Sequence, residues 1–405
     1  MGNRLWVVSE LYYPEMTSTG YILTRLAEGL AAHGNNVGVL CCQPTYYARG
    51  THAPSLETRN GVAIRRCPGT TLNKDILLFR LVNLVTITVS LFFNALWRLR
   101  RGDRVLVVTN PPSLPFLIAV ACSLRGAHCI LLIHDVYPEL LVAVGKLRAS
   151  HPLVRGLGWL SQILYRKARH VVVLGRDMQA RITETAEIGR EHVSIITNWA
   201  DLDQVAPGRK DDNVLLGELR IRDKFVLEYA GNIGYPNDVE SIVEAAGTLS
   251  GDGNVHFLFI GSGAKRRWLE DAIERKQLAN VSLLPSRPRE DQKNFLNACD
   301  VALVSLVSGM KGISVPSRMY NIMAAGKPII AITEPQSELA LAVEEEDMGW
   351  VVPPGNADRL VNVIREARSA PLRLADMGNR ARKAAESKYA YEQVLRSYVS
   401  LFKRS

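Results

Sequence analysis

Two short glycine turns in the second half of the chain have the composition of phosphate-binding loops. Gly231–Asn232–Ile233–Gly234 follows an apolar run and precedes a predicted helix that begins near Asp238. Gly261–Ser262–Gly263 follows the next apolar run. Glycine lets a phosphate approach the backbone closely, and the N–H groups at a following helix start favour an anion. Two such turns at neighbouring strand ends predict a nucleotide or sugar-nucleotide site.

A third stretch adds positive charge to this half. Val315–Pro316–Ser317–Arg318 predicts the start of a helix, with proline near its first turn. Ser317 and Arg318 would then place amide donors and a guanidinium fork where they suit a diphosphate. Lys311, in the preceding loop, supplies a second cation. The alternative is an ordinary helix start with a surface arginine.

The first half begins with a strand and a hydroxyl-rich loop that contains Glu15. Thr17–Gly20 stands at the start of a predicted helix, Tyr21–His33, where small hydroxyl groups and Gly20 would favour an anion. Helix capping by serine or threonine is the alternative. The GxGxxG fingerprint of dinucleotide-binding domains does not occur at this place, which argues against an oxidoreductase.

The segment HDVYPE brings three titratable groups to the end of a later strand. His134 and Asp135 lie at the carboxyl end of that strand, and Glu139 follows in the next turn. Ligands of open α/β sheets bind at this edge, so these side chains are candidates for substrate contact. A structural role for a buried His134 remains the alternative.

The elements that position these groups are short β-branched strands separated by helical stretches, which is typical of buried parallel sheets. We predict two doubly wound α/β domains, residues 1–205 and 206–385, with the boundary in the polar stretch Ala206–Asp212 and a final helix over 386–405. The predicted strands are Leu5–Ser9, Val37–Cys42, Val105–Thr109, Cys129–His134, Val171–Leu174, Val193–Thr197, Phe225–Tyr229, Phe257–Ile260, Val281–Leu284, Val301–Leu306, Pro328–Ile332 and Trp350–Val352.

Composition limits the class of protein. The chain has 405 residues, enough for two domains, and its 47% hydrophobic and 22% charged residues are ordinary for a globular protein. A net charge of +9 predicts an anionic partner, either phosphate groups or acidic lipid headgroups. No nucleic-acid-binding signature accompanies it, so we expect no nucleic-acid partner. The six cysteines lie in apolar runs without a CxxC pair, which indicates core residues of a reducing compartment, and no secretory signal opens the chain.

One apolar segment, Ile76–Trp97, departs from the globular pattern and runs into the basic sequence RLRRGDR. Its length would permit a membrane span. Its polar residues instead recur at helical spacing and form one stripe, which favours a helix lying in a bilayer interface over a span; a core helix is the third alternative. The stripe consists of Arg80, Asn83, Thr86, Ser90, Asn94, Arg98 and Arg101.

In order and spacing, these motifs resemble glycosyltransferase family 4, in particular its capsule, O-antigen and colanic-acid subgroup with its fucosamine transferases. The resemblance covers nearly the whole chain. The motifs that carry it are YYPEMTSTGYILTRLAEGLAAHG, HDVYPE, IITNWAD, YAGNIG, VPSRMYNIMAAGKP and the helical tail Tyr389–Lys403. It implies the GT-B fold: two Rossmann-like domains that face a cleft, with a C-terminal helix crossing back to the N-terminal domain.

The chain departs from the family pattern at several positions. The family's two glutamates, which have seven residues between them, are replaced by Ile313 and Asn321. Its arginine and lysine after the first strand of the second domain are replaced by Asn232 and Asn237. The pair Asp201 and Asp203 resembles a metal-binding DxD, but it lies beside the linker and we interpret it as structural. The resemblance agrees with this interpretation, because the family usually works without a metal.

The resemblance implies a retaining transfer of a sugar from a nucleotide-diphosphate donor, with uridine the expected nucleotide, to a polyprenyl-diphosphate-linked sugar. His134 would contact the transferred sugar, Arg318 and Lys311 would stabilise the leaving diphosphate, and Asn321 would contact the donor ribose. Further donor contacts would come from Gly20, Gly231, Asn232, Gly234, Gly261, Ser262 and Ser317. Glu15, Asp135 and Glu139 would orient the acceptor. No cofactor or metal is expected, and the helix over 76–101 would hold the protein peripherally at the cytoplasmic face of the inner membrane. A sugar-nucleotide 2-epimerase and a non-catalytic sugar- or membrane-binding scaffold are the alternatives.

Overall fold

The computed structural model describes residues 3–44, 52–72 and 76–404. These residues form two compact units. The first combines the chain up to Pro138 with Ala149–Thr197 and the segment from Val394 onward. The second combines Glu139–Arg148 with Asn198–Gln393. The return of the C-terminal segment to the first unit confirms the predicted crossover.

The first unit is built on a sheet whose described part has the strand order β3-β4-β2-β1-β5-β6-β7-β8. All neighbours in it are parallel except β3 and β4. The elements up to residue 197 are β1 (Leu5–Val8), α1 (Ser18–Ala32), β2 (Val37–Cys42), β3 (Leu56–Arg59), β4 (Val62–Cys67), α2 (Leu77–Arg98), β5 (Arg104–Val108), α3 (Leu114–Arg125), β6 (His128–Ile133), α4 (Glu139–Ala143), α5 (Pro152–Lys167), β7 (His170–Val173), α6 (Arg176–Ala186) and β8 (Val193–Ile195).

The second unit is built on a parallel sheet with the order β11-β10-β9-β12-β13-β14. Its direction of winding reverses between β9 and β12, the switch point at which doubly wound sheets bind ligands. The remaining elements are α7 (Val214–Glu218), β9 (Phe225–Ala230), α8 (Glu240–Thr248), β10 (Val255–Ile260), α9 (Arg266–Arg275), β11 (Val281–Leu284), α10 (Gln292–Phe295), β12 (Val301–Ser305), α11 (Arg318–Ala324), β13 (Ile329–Ile332), α12 (Glu338–Glu345), β14 (Gly349–Val352), α13 (Ala357–Ser369), α14 (Pro371–Ser387) and α15 (Tyr391–Arg404).

The strands supply the cores because both faces of each sheet are covered. Strands β1, β2 and β10 are buried along their whole length. All six cysteines are buried as well, which agrees with their interpretation as core residues. The central strands therefore hold the loops at their carboxyl ends on a rigid base.

The boundary between the units lies earlier than the polar stretch at 206–212 suggested. Asn198–Val205 belongs to the second unit, since Ala200 N donates to Tyr389 O at 2.8 Å and Asp201 N donates to Asn321 Oδ1 at 2.9 Å. The segment Glu139–Arg148 was also expected in the first domain, and it packs with the second unit instead.

Helix α2 begins one residue after the predicted start at 76 and ends at Arg98, so that Arg101, the last residue of the predicted polar stripe, lies beyond it. Asn83 is buried and pairs with Leu72, donating to its carbonyl at 2.9 Å and accepting from its N–H at 3.0 Å. Thr86 bonds Thr70 Oγ1 at 2.7 Å. The polar stripe thus faces protein over part of its length, because a loop supplies partners for these side chains.

The opposite face of α2 is apolar and open to solvent. Among described residues, Leu78–Arg98 is the helix long and apolar enough to cross a membrane, and only 28% of its most apolar 18-residue window is buried. This exposure does not fit the core-helix alternative. The exposed apolar side chains of the helix are Leu78, Leu81, Val85, Val89, Phe93 and Trp97.

Candidate active site

The two glycine turns of the second unit pack directly against each other. Gly231 N donates to Ile260 O at 2.9 Å, and Ile233 N donates to Ser262 O at 2.8 Å. A Cβ atom at Gly261 would overlap the carbonyl oxygen of Gly231, so this contact requires glycine. The two turns are therefore neighbours, as predicted, and their backbone lies at the carboxyl ends of β9 and β10.

Arg318 reaches back from α11 to the first of these turns. Its Nη2 donates to Asn237 Oδ1 at 2.6 Å and to Ser305 O at 3.2 Å. Its guanidinium carbon lies 4.5 Å from the ring centroid of Tyr229, within cation–π range. Gly231 has a φ of 144°, and a Cβ atom there would lie 3.0 Å from Arg318 Nη1. The guanidinium is thus fixed against the glycine turn.

This position coincides with the switch point of the sheet. Gly231 follows β9, and Ser305 is the last residue of β12, the two strands between which the winding reverses. A fixed guanidinium beside glycine backbone at this edge can bind a diphosphate bidentately. The positive charge of Arg318 therefore lies close to Asn237, the position at which the family pattern has a lysine.

The surroundings of Arg318 include partners that sequence reasoning did not assign to the site. Tyr229 is fully buried, which raises the pKa of its phenol, and its OH donates to Asn232 O at 2.7 Å. Asn237 Nδ2 donates to the same carbonyl at 3.0 Å. Lys265 Nζ donates to Asn237 O at 2.8 Å. Tyr229 lies close to the glycines in the sequence, which was the one signal for it, whereas Asn237 was also marked by the family pattern.

A helix starts at the predicted place, with Ser317 at its N-cap, but it is short. Helix α11 begins at Arg318, covers seven residues, and has no side-chain cap bond from Ser317. So short a helix contributes little dipole, because the macrodipole is a sum over aligned peptide units. The capacity to bind an anion at this place consequently depends on the guanidinium more than on the helix start.

Lys311 and Asn321, two further predicted donor contacts, form hydrogen bonds with other residues of the protein. Lys311 Nζ donates to Gln336 Oε1 at 3.0 Å, and its backbone N donates to Glu334 Oε2 at 3.0 Å. Asn321 is buried, and its Nδ2 donates to Gln292 Oε1 at 2.9 Å while its Oδ1 accepts from Asp201 N. Their roles toward the diphosphate and the ribose stay predictions.

The two residues of the acidic pair differ in their surroundings, since Asp201 is buried and Asp203 is exposed. Asp201 is 2% exposed, and its carboxylate forms an ion pair with Arg289 at 3.5 Å. Among described residues, no group of three or more His, Cys, Asp or Glu side chains is arranged to hold a metal ion. The ion pair accounts for the presence of Asp201.

In the first unit, the loop before α1 is tightly fixed. Thr17 caps the helix by accepting from Gly20 N at 3.2 Å, as the capping alternative predicted. A Cβ atom at Gly20 would overlap the carbonyl oxygen of Glu15, so glycine is needed for packing. Glu15 itself is 1% exposed. The assignments of Gly20 to the donor and Glu15 to the acceptor stay predictions.

His134 directly follows β6, as expected. Its backbone N donates to Thr109 Oγ1 at 3.1 Å, and Asp135 N approaches the same oxygen at 3.4 Å. Burial lowers the pKa of His134 to about 4, so the imidazole is neutral near pH 7. Its Nε2 atom is buried and has no hydrogen-bond partner among the described residues. The contact of this ring with the transferred sugar stays a prediction.

Glu139 and His134 belong to different units, His134 to the first and Glu139 to the second. It begins α4, which packs with the second unit, and its Oε2 is buried with no hydrogen-bond partner in the described part of the chain. In the same segment, Lys146 Nζ lies 3.7 Å from the ring centroid of Tyr235, a residue of the donor-side loop. The segment therefore contacts the loop that carries Gly231.

A buried histidine of the second unit gives a pH prediction. His256 Nε2 lies 2.9 Å from Ser282 Oγ, and burial lowers its pKa to about 4. The unfolded chain, with a pKa of about 6.5, takes up protons before the folded protein does, so stability is lost as the pH falls from 6.5 toward 4. His256→Gln should reduce this loss by up to about 3 kcal/mol at pH 4.

The melting temperatures of the unmodified protein and of His256→Gln are to be measured between pH 7 and pH 4.5. His52→Gln, at an exposed position, is the control substitution. The His256→Gln curve should be flatter than that of the unmodified protein. Parallel curves would show that His256 does not contribute to the acid sensitivity.

Comparison with known proteins identifies the class. The profile described as Glycosyl transferases group 1 matches residues 217–384, and that of the Glycosyl transferase 4-like domain matches residues 19–199. The glycosyltransferase WbjE of Pseudomonas aeruginosa is 33% identical over 99% of this chain and 96% of its own. The colanic acid biosynthesis glycosyl transferase WcaI of Escherichia coli is 27% identical over 96% of this chain and 97% of its own. The chain belongs to the group 1, family 4-like glycosyltransferases.

The fold agrees with that assignment. Anabaena HepE, solved in complex with UDP, superimposes with a TM-score of 0.74 at 15% identity and full coverage of both chains. The predicted GT-B class, with two Rossmann-like parallel-sheet domains, is thereby confirmed, and the protein is a glycosyl-transferring enzyme.

Proposed function

We propose that this enzyme transfers a sugar, with retention of anomeric configuration, from a UDP-linked donor to a polyprenyl-diphosphate-linked acceptor during synthesis of a bacterial surface polysaccharide. The observation that carries the donor side is the guanidinium of Arg318, fixed beside Gly231 at the switch point of the second sheet. The UDP complex of the similar HepE fold supports uridine as the nucleotide. The colanic acid role in the name of WcaI supports polysaccharide synthesis.

In the proposed reaction, the bond between the anomeric carbon and the diphosphate oxygen breaks. The acceptor hydroxyl oxygen bonds to the same carbon from the same face, and its proton passes to a phosphate oxygen. Arg318, assisted by Lys311, stabilises the charge that develops on the leaving oxygen. The neutral His134 ring binds a hydroxyl of the transferred sugar. We propose that no divalent metal is required, so transfer should persist in a chelator.

The lipid side of the proposal depends on α2. Its exposed apolar face suits the acyl region of one leaflet, and the arginines that follow it suit anionic headgroups. We therefore propose a peripheral location at the cytoplasmic face of the inner membrane, where a polyprenyl acceptor is embedded.

Incubation with radiolabelled sugar nucleotides and bacterial membranes tests the proposal. The expected result is transfer of label to the lipid extract, with UDP released in equal amount. Conversion of the donor to an epimer without transfer would indicate a 2-epimerase, and binding without turnover would indicate a scaffold. Either outcome would contradict the proposed reaction.

A further inference from the structure

Helices α3 and α5 also expose large apolar side chains. Leu124 is 66% exposed and Trp159 is 62% exposed, values comparable to the 82% of Trp97 on α2. In a monomeric soluble protein, contiguous exposure of this kind marks an interaction surface. The exposed apolar residues are Val120 and Leu124 on α3, and Leu153, Trp159 and Leu160 on α5.

The three helices form one layer of the first unit. Helix α2 joins β4 to β5, α3 joins β5 to β6, and α5 lies between β6 and β7, so all three connections progress in the same direction along the sheet. Right-handed crossovers that progress in the same direction along a parallel sheet lie on the same face of that sheet. Helix α3 is in contact with both α2 and α5. The exposed apolar residues of the three helices therefore belong to a single surface.

The charges on this layer have one sign. The sequences of α2, α3 and α5 contain no aspartate or glutamate. Their cationic residues are Arg80, Arg98, Arg125, Arg155, Arg166 and Lys167. Of these, Arg166 pairs with Glu187 at 3.0 Å, outside the three helices.

The next helix of the layer marks the edge of the surface. Helix α6 follows in the same direction, and it carries Asp177 and Glu184 together with two arginines. The large apolar side chains exposed to solvent do not include any from α6. The combination of apolar exposure and purely positive charge is thus specific to α2, α3 and α5.

We propose that α2, α3 and α5 together form a surface that docks on an anionic lipid bilayer. The inference deepens the proposed function, which assigns lipid contact to α2 alone, by adding α3 and α5. The apolar side chains enter the boundary between headgroups and acyl chains, Trp97 and Trp159 lie at the depth that tryptophan favours, and the cations contact acidic headgroups. A second copy of the chain fits this surface poorly, because two faces without acidic residues repel each other.

Sedimentation of the full-length protein with vesicles tests the surface. The vesicles contain phosphatidylcholine with about one third phosphatidylglycerol, and pure phosphatidylcholine vesicles are the neutral comparison. The variant Leu124→Ser/Trp159→Ser changes α3 and α5 and leaves α2 intact. The control is Leu372→Ser, an 83%-exposed leucine of α14 in the second unit.

We expect the double variant to lower the partition coefficient about tenfold or more, since each buried large apolar side chain contributes to binding. The control should bind as the unmodified protein does, and both should melt at unchanged temperature because the replaced side chains are exposed. High salt and neutral vesicles should weaken binding of every form.

The outcomes separate this inference from the proposals on which it rests. Full vesicle binding by the double variant, with loss of binding in Phe93→Ser/Trp97→Ser, would leave α2 as the membrane element and overturn the three-helix surface. Loss of self-association instead of vesicle binding would make the surface an interface between copies and also overturn it. UDP binding, measured without vesicles, should be equal in all forms, so a failure of the donor site would appear independently.

Discussion

Arg318→Ala is expected to weaken UDP binding by about 1.5–3 kcal/mol, the range for hydrogen bonds to charged groups, or roughly 10- to 150-fold in affinity. The guanidinium is fixed by Asn237, Ser305 and the ring of Tyr229, and it lies beside the backbone of Gly231. Removal of the side chain takes the positive charge away from this turn. Titration calorimetry with UDP measures the effect directly.

Two further variants make this result specific. Arg373→Ala removes an arginine of the same unit that is half exposed and pairs with Glu366, so it should leave UDP affinity unchanged. Arg318→Ala combined with Asn237→Lys returns a cation to the same place from the loop side, because Asn237 contacts Arg318 at 2.6 Å. It should recover part of the affinity. Unchanged affinity in Arg318→Ala would remove Arg318 from the donor site.

His134→Ala is expected to lower kcat by about 2- to 13-fold while the melting temperature changes little, since a lost hydrogen bond in the transition state is worth about 0.5–1.5 kcal/mol. Its Nε2 has no partner among described residues, so no protein hydrogen bond of that atom is lost on substitution. Steady-state kinetics and thermal melting together measure both effects.

The pH profile distinguishes a ligand contact from proton transfer by His134. With a pKa of about 4, the ring does not titrate between pH 6 and pH 8, so kcat of the unmodified enzyme and of His134→Gln should vary in parallel over this range. His170→Ala is the matched control, because His170 bonds Ser194 Oγ at 2.8 Å within the sheet. A large fall in melting temperature with normal kcat for His134→Ala would show a structural role instead.

The sequence predicted the strands well because their signal is local. A run of β-branched residues between helical stretches reports burial on both faces, and each of the twelve predicted strands is present. The hairpin of β3 and β4 was missed, since three of the four residues of β3 (LETR) are polar and the strand lies at the sheet edge. Its turn, Asn60–Gly61, with φ of 46° and 78°, carried the signal that would have revealed it.

The features that the sequence did not predict correctly depend on contacts between residues that are far apart in the sequence. The grouping of Glu139–Arg148 with the second unit rests on contacts such as Lys146 with Tyr235, which no local pattern encodes. The exposed face of α2 could have been inferred from its apolar spacing. The burial of Asn83 could not, because its partner Leu72 lies in a loop without a pattern of its own.

The glycines and the arginine of the candidate site could be predicted from the sequence. The residues that hold the arginine in place could be predicted less well. Gly231 and Gly261 were identified by residue type and position after strands, and Arg318 by its position at a predicted helix start. The buried Tyr229 looks like any strand aromatic in the sequence, and its contact with Arg318 appears only when β9 and α11 are folded together.

A crystal structure of the enzyme with UDP tests whether Arg318 binds the donor diphosphate. We expect the diphosphate within hydrogen-bonding distance of the Arg318 guanidinium, beside the backbone of Gly231 and at the carboxyl ends of β9 and β12. A diphosphate bound elsewhere, with Arg318 still holding only Asn237 and Ser305, would contradict it.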